Sequence, residues 1–205
     1  MLLATRSEGK LRELRALFAA RRIVVVDLVE AGIAESPEED GLEVHASFEA
    51  NALAKARHFA SLSDQATVAD DSGLCVSALG GGPGVMSKRW SGRMDLSGEA
   101  LDAANNHLLL SRLHGAADRS AQYVCAAAYV SGRGEVVCRG EVRGFILEGP
   151  RGAGGFGYDP YFAAAELDDR TFGEVSGAEK ARVSHRARAF EALLAELERR
   201  RWEQW

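Results

Sequence analysis

The sequence has few cysteines, and their arrangement excludes two common kinds of small-protein scaffold. The three of them, Cys75, Cys125 and Cys138, form no Cys-x-x-Cys pair, and no histidine lies at metal-ligand spacing from any of them. This pattern favours neither a disulfide framework nor a structural zinc site. It is typical of a protein from a reducing compartment.

Long apolar runs and an excess of positive charge are also missing. No segment approaches the length of a membrane span, and the N-terminus reaches a charge at Arg6, too early for the apolar region of a signal peptide. The formal net charge of −5 provides no overall field that would attract a nucleic-acid polymer. We therefore expect a cytoplasmic protein with neither a membrane nor a nucleic-acid polymer as its partner.

The composition that is present is that of a globular protein. The 205 residues, 46% hydrophobic and 27% charged, suffice for one domain with a buried core. Interleaved helical and strand patterns predict an α/β fold with a mixed β-sheet. The predicted strands are 2–5, 23–26, 67–69 and a hairpin within 121–147. One predicted helix follows residue 9, and two others cover about 44–62 and 98–113. The final predicted helix begins at a Ser176–Glu179 capping box and carries an apolar stripe to Leu197.

A candidate phosphate site lies at the first strand–helix junction. The strand turns through small residues into a helix, so backbone N–H groups and the positive end of the helix dipole point at the turn. Lys10 adds a full charge, and the hydroxyls of Thr5 and Ser7 are possible donors. The segment is not a Walker A loop, which would have Gly in place of Ala4 and Ser or Thr in place of Leu11. An ordinary helix start is the alternative.

A pair of acids, Asp70 and Asp71, ends the third predicted strand. Two carboxylates there are costly to bury unless a cation compensates them, and Mg²⁺ bridging carboxylate and phosphate is one solution. Successive strand residues point to opposite faces, so the two acids should differ in role. An Asx turn closed by Ser72 and Gly73 is the alternative interpretation.

Aromatic and basic residues occupy the C-terminal third. The segment 154–160 combines glycines, which allow close approach of a ligand, with aromatic rings that can stack on a base. Its Asp159 could accept a hydrogen bond from a base N–H. Lys180, His185 and Arg186 follow on or near the last helix and can donate to carbonyl or phosphate oxygens.

Together these motifs make the chain resemble the inosine/xanthosine triphosphate pyrophosphatases, which hydrolyse non-canonical purine nucleoside triphosphates. The resemblance extends from Leu3 to about Leu197. The matching segments are Ala4-Thr5, Gly9-Lys10, Glu13-Leu14, Phe48, Asn51, Lys55-Ala56, Ala69 to Leu74, Leu79 to Gly81, Pro83 to Val85, Gly154 to Pro160, Thr171 to Glu174, Glu179-Lys180 and Ser184 to Arg186.

The resemblance implies a long mixed sheet with flanking helices, in one two-lobed domain spanning residues 1–205 around an active-site cleft, and a homodimer. It implies Mg²⁺-dependent cleavage of ITP, dITP or XTP to the monophosphate and pyrophosphate. Asp71 would bind the metal and accept a proton from the attacking water. The substrate-binding residues would be Thr5, Arg6, Ser7, Glu8, Gly9, Lys10, Ser72, Phe156, Gly157, Tyr158, Asp159, Lys180, His185 and Arg186.

The chain departs from the family pattern at two places. Ser7 stands where the family usually has Asn, which alters the reach of a phosphate-loop side chain. The spacing between Gly41 and Phe48 is longer than usual, so the second metal carboxylate is either Glu39, by its place before Asp40-Gly41, or Glu43, by its distance from Phe48. We favour Glu39.

Two other functions compete with this interpretation. One is a Maf-like pyrophosphatase of modified pyrimidine triphosphates, against which the Phe156–Asp159 and Ser184–Arg186 segments argue. The other is a nucleotide-binding module with weak catalysis, against which Lys10 and the acid pair argue, whereas Ser7 leaves it open. Metal-dependent pyrophosphate release and a panel of substrates distinguish the three.

Overall fold

The computed structural model of this chain describes residues 1–202; Glu203, Gln204 and Trp205, the end of the basic and aromatic tail, lie outside the described residues. The strands are β1 (Leu2–Leu3), β2 (Val26–Asp27), β3 (Thr67–Val76), β4 (Ser120–Ser131), β5 (Gly134–Ile146) and β6 (Phe162–Ala164). The α-helices are α1 (Glu8–Ala20), α2 (Phe48–Ser63), α3 (Gly98–Arg112), α4 (Gly177–Val183) and α5 (His185–Arg199). Short 3₁₀ helices cover Pro37–Gly41, Ser77–Leu79, Gly84–Arg89 and Ala165–Leu167.

The strands form one mixed sheet in the order β2-β1-β3-β4-β5-β6. β1 pairs in parallel with β2 and β3, whereas β5 and β6 are antiparallel. Helices intervene between the parallel strands because a parallel connection needs a crossover, while β4 and β5 need only a tight turn. The predicted α/β class with a mixed sheet and flanking helices is confirmed.

The chain divides into two compact units. Unit 1 comprises Met1–Asp71, Cys125–Gly140 and His185–Trp205, and unit 2 comprises Ser72–Val124 and Glu141–Ser184. Strands β3, β4 and β5 contribute residues to both. The description of residues 1–205 as a single two-lobed domain stays a prediction.

Each unit has its own apolar core. In unit 1 the buried faces of α1 and α5 meet through Phe18 and Phe190, whose rings pack edge to face with centroids 5.7 Å apart. In unit 2 three aromatic rings, those of Tyr123, Phe162 and Phe172, pack together among the residues of the core. These two cores hold the backbone segments that carry the predicted site residues.

Two predicted helices differ from the observed ones. The helix expected from about residue 44 begins at Phe48, because Ser47 is extended and its hydroxyl caps the Ala50 N–H at 3.2 Å. The single helix expected after Ser176 is interrupted at Ser184, whose ψ of 148° is incompatible with a continuous helix. The capping box at its start is present as predicted.

Within residues 1–202, no helix combines the length and the apolar character needed to cross a membrane.

Candidate active site

The predicted site residues occur in both units. Unit 1 carries the phosphate loop (residues 5–10), Glu39, Asp71, His185 and Arg186. Unit 2 carries Ser72, Lys180 and the base loop, which we define as residues 154–160. The two sets are therefore described separately.

The phosphate loop has the geometry of a capped helix start. Thr5 Oγ1 accepts a hydrogen bond from the Ser7 N–H at 3.2 Å, and Ser7 Oγ accepts one from the Lys10 N–H at 3.5 Å. Ser7 is thus the N-cap of α1, a position at which Ser and Asn are about equally favoured. The remaining N–H groups of the first turn and the helix dipole provide an anion site.

Asp70 is the buried hub of an ionic chain in unit 1. Its side chain is fully buried, with Oδ2 lying 3.0 Å from Lys10 Nζ and 3.2 Å from Arg186 Nε. Arg186 also forms an ion pair with Glu13. Burial alone would raise the pKa of Asp70, but the charges of Lys10 and Arg186 outweigh burial and hold this pKa well below its usual range. Asp70 therefore stays ionised and orients two cations.

The neighbouring Asp71 has the opposite electrostatic character. It is also buried, and Asn51 Nδ2 donates to its Oδ2 at 2.8 Å. Burial raises the pKa of Asp71, and the nearby charge of Glu43 raises it further despite the opposing effects of Lys10 and Lys55. A carboxylate with a raised pKa is the better proton acceptor of the two.

The two candidate metal carboxylates have different partners. Glu39 is engaged by Arg6, whose Nη2 lies 2.7 Å from Oε1 and whose Nε donates to Oε2 at 3.1 Å, and this pairing lowers the pKa of Glu39. Glu43 pairs with Lys55 and acts electrostatically on both Asp71 and Lys10. Of the two, Glu43 carries a charge that raises the pKa of Asp71; the assignment of Glu39 as a metal ligand stays a prediction. No cluster of three or more His, Cys, Asp or Glu residues suited to a metal occurs within residues 1–202.

The base loop in unit 2 is organised around a buried ion pair. Asp159 Oδ2 lies 2.5 Å from Lys180 Nζ and accepts the Phe156 N–H at 2.8 Å. The Tyr123 hydroxyl donates to Asp159 Oδ1 at 3.4 Å. Lys180 Nζ also lies 4.8 Å from the centroid of the Phe156 ring, a cation–π distance. The loop therefore brings an aromatic face and a carboxylate close together. Ser72 is half-buried in β3 of the same unit.

The break at Ser184 places His185 and Arg186 in the first turn of α5, with both side chains about 3% exposed. A Cβ on Gly140 in β5 would collide with the backbone of His185 and Ala189, so only glycine fits beneath this turn. The expected contact of His185 and Arg186 with a base stays a prediction.

Sequence reasoning assigned no role to four residues that the structure connects to the site: Glu13, Asp102, Asn106 and Gly140. Glu13 stands on α1 one turn after Lys10, a spacing that places both on one helical face. Asp102 and Asn106 are likewise one turn apart on α3, and this polar pair on an otherwise amphipathic helix was the available signal. Gly140 had no signal in the sequence, because the clash depends on a helix far along the chain.

Sequence comparison places this chain among known proteins. The Ham1 family model matches residues 1–196. A dITP/XTP pyrophosphatase from Mycobacterium tuberculosis is 50% identical over 199 residues, which cover 96% of this chain and 94% of the relative.

Structure comparison gives the same family. A HAM1 protein from Coxiella burnetii superposes with a TM-score of 0.80 at 33% identity, covering 97% of this chain and 98% of that one. A nucleoside-triphosphatase / dITP/XTP pyrophosphatase from Mycobacterium abscessus superposes with a TM-score of 0.70 at 43% identity, covering 96% and 98% of the two chains.

Proposed function

Because this chain belongs to the Ham1 family, we propose that it hydrolyses non-canonical purine nucleoside triphosphates (ITP, dITP and XTP) to the monophosphate and pyrophosphate. Relatives at about half identity are named dITP/XTP pyrophosphatases. The reaction would remove such nucleotides from the cellular pool.

The observation that carries the proposal is that two adjacent buried acids differ in pKa and in their partners. Asp70 is ionised and holds Lys10 and Arg186, whereas Asp71, one residue on, has a raised pKa and is hydrogen-bonded to Asn51. A site that cleaves a phosphoanhydride needs both a cation for the leaving group and a base for water. Unit 1 supplies both in one cluster.

In the proposed reaction, water attacks the α-phosphorus. The new bond joins the water oxygen to this phosphorus, the bond from the phosphorus to the α–β bridging oxygen breaks, and pyrophosphate leaves with the bonding electrons. Asp71 accepts the proton that the water loses. Lys10 and the N–H groups of the phosphate loop bind the triphosphate and offset the charge that develops on pyrophosphate.

The residues of unit 2 would bind the base. Phe156 offers a stacking face, and Asp159 and Lys180 offer an acceptor and a donor for the edge of a purine. His185 and Arg186 of unit 1 would donate to a 6-oxo group. Donors aimed at an oxygen lose their partner when adenine presents an amino group instead, and such a loss is how a polar site rejects a near-isostere.

We also propose that Mg²⁺ is the cofactor, held by Asp71 and Glu43. The charge of Glu43 contributes to the raised pKa of Asp71, and a divalent cation would relieve that repulsion. Two protein carboxylates completed by substrate phosphates and water is a common Mg²⁺ environment. When bound, the ion would polarise the phosphate oxygens. For Glu39, which pairs with Arg6, we propose instead that it supports the phosphate loop.

The first prediction concerns substrates. With Mg²⁺, the protein is expected to release pyrophosphate from ITP and XTP at least about tenfold faster, in kcat/KM, than from ATP, because one unpaired buried donor costs about 1–3 kcal/mol. Pyrophosphate release from ITP, XTP, dTTP, GTP and ATP, with Mg²⁺ and with a chelator, measures this. A preference for dTTP would support the Maf-like alternative, and tight ITP binding without turnover would support a binding module.

The second prediction separates Glu43 from Glu39. Glu43→Gln is expected to raise the Mg²⁺ concentration for half-maximal activity by at least about tenfold, because it removes a charged ligand. Glu39→Gln, the matched control, is expected to weaken nucleotide binding without changing the Mg²⁺ requirement, because its partner is Arg6.

The same variants give a readout that does not depend on turnover. Titration of the nucleotide-free proteins with Mn²⁺, followed by electron paramagnetic resonance, should show weaker binding for Glu43→Gln alone. Weaker Mn²⁺ binding in Glu39→Gln, with wild-type binding in Glu43→Gln, would reverse the assignment.

A homodimer and a cytoplasmic location complete the proposal. Both rest on the family resemblance and on the composition of the sequence.

A further inference from the structure

Helix α3 holds the tip of the base loop through both backbone polar groups of one residue, Gly157. The Gly157 N–H donates to Asp102 Oδ2 at 2.8 Å, and Asn106 Nδ2 donates to the Gly157 carbonyl oxygen at 2.9 Å. Asp102 and Asn106 are one helical turn apart, so their side chains project from the same face of α3. All three residues belong to unit 2.

The loop needs such support because its backbone is unusual. Gly155 and Gly157 both have left-handed φ values, +76° and +62°. A Cβ on Gly157 would meet nothing within 4 Å, so the need for glycine there comes from the backbone conformation. The stem of the loop is tied elsewhere, by the Gly154 N–H to Gly173 at 2.9 Å. The tip of the loop, at Gly157, is held by α3.

Hydrogen bonds also connect α3 and the base loop to residues 87–91. Asn105 accepts the Ser91 N–H at 2.8 Å and donates to the Lys88 carbonyl oxygen at 3.1 Å. The Tyr158 hydroxyl, from the base loop itself, donates to the Ser87 carbonyl oxygen at 2.7 Å. Hydrogen bonds to backbone groups thus connect α3 to the segment around residue 88, and they connect the base loop to the same segment.

We propose that Asp102 and Asn106 are positioning residues that set base selectivity by fixing the backbone of Gly157 between Phe156 and Asp159. This inference rests on the proposed function, because it assigns a purine to the base loop. The two residues would not touch the substrate; they would determine the angle of the Phe156 ring and the place of the Asp159 carboxylate. Their loss should therefore affect recognition of the base far more than the chemistry of Asp71.

Protonation of Asp102 would weaken the hydrogen bond that it accepts from the Gly157 N–H, because the neutral acid is a poorer acceptor. Burial raises the pKa of Asp102; the Gly157 N–H and Lys88 oppose that rise, and Glu99 adds to it. As the pH falls, this hydrogen bond should accordingly begin to weaken at a higher pH than it would with an ordinary aspartate. In its charged form the carboxylate accepts a charge-assisted hydrogen bond from the Gly157 N–H.

The test compares Asp102→Ala and Asp102→Asn with Glu99→Gln, an exposed acid on the same helix that serves as the matched control. Asp102→Ala is expected to raise KM for ITP about tenfold, with kcat changed by less than about threefold, and to reduce the ITP/ATP ratio of kcat/KM. Asp102→Asn keeps the shape and a neutral acceptor, so its KM should rise less, and it should lack the increase in KM that we expect for the wild type as the pH falls. Glu99→Gln should match the wild type in KM and in the ITP/ATP ratio at neutral pH.

Two further measurements keep this inference separate from the proposed function. Amide hydrogen exchange of the nucleotide-free proteins should show faster exchange at residues 156–159 in Asp102→Ala only. Binding of IMP, measured by calorimetry, should be about tenfold weaker in that variant. If the wild type hydrolyses no nucleotide, the proposed function fails, and IMP binding then decides the inference.

Unchanged selectivity and unchanged IMP binding alongside faster exchange would overturn the role in base recognition. Equal losses in kcat and kcat/KM would overturn it as well, because they would indicate a direct effect on the chemistry.

Discussion

Asp71→Asn is expected to lower kcat for ITP by about 10²–10⁴-fold, the range that general-base catalysis contributes. The amide has nearly the same shape and can still accept the hydrogen bond from Asn51, which lies 2.8 Å away. It cannot take a proton from water, and it is a weaker ligand for a divalent cation. The loss should therefore appear in kcat at saturating ITP and Mg²⁺, with a smaller change in KM.

The same substitution should not weaken the fold. Burial raises the pKa of Asp71, which means that the folded state disfavours its charged form relative to the unfolded chain. A neutral side chain of the same size removes that cost, so the free energy of unfolding should stay equal or rise. Steady-state kinetics with ITP and urea unfolding of the same preparation measure both effects. Full activity in Asp71→Asn would refute the assigned role.

Asp70→Ala is expected to lower the free energy of unfolding by about 3–5 kcal/mol, as for other buried ion pairs that lose one partner. The fully buried carboxylate lies 3.0 Å from Lys10 Nζ and 3.2 Å from Arg186 Nε. Its removal leaves the Lys10 ammonium without its nearest compensating charge in a buried environment. Urea unfolding at neutral pH, analysed by linear extrapolation, measures the difference.

An exposed ion pair provides the control for this second prediction. Asp95 pairs with Arg93 at 2.6 Å, and both side chains are more than half exposed. Asp95→Ala should barely change the free energy of unfolding, because water screens and replaces such a pair. If Asp70→Ala were as mild as Asp95→Ala, the buried ionic chain would not contribute to stability as argued.

The two adjacent acids are thus expected to have different roles within one strand. Their side chains alternate across β3, so one can join an internal ionic chain while the other remains available for substrate. Strand alternation predicted that the roles would differ, and the family resemblance implied that Asp71 would be the proton acceptor. That assignment depends on where Lys10, Arg186 and Asn51 lie around them.

Features that depend on nearby residues were accessible from the sequence. The N-cap of α4 at Ser176 needs only Glu179 three positions on, and the strand–turn–helix at Ser7 needs only the pattern of its neighbours. Helical and strand periodicity likewise indicated the mixed α/β class. Each of these signals reports local backbone preference, which short sequence windows contain.

Features that depend on distant residues were decided by the tertiary structure alone. The spacing of the loop before α2 left both Glu39 and Glu43 possible, with Glu39 favoured, and only the folded positions of Arg6 and Lys55 showed their different partners. The break at Ser184 overrides a helical pattern that is continuous in the sequence. Because these outcomes are set by residues brought together by sheet topology, the sequence determined the class of fold and the candidate residues, and tertiary contacts determined the partners of each.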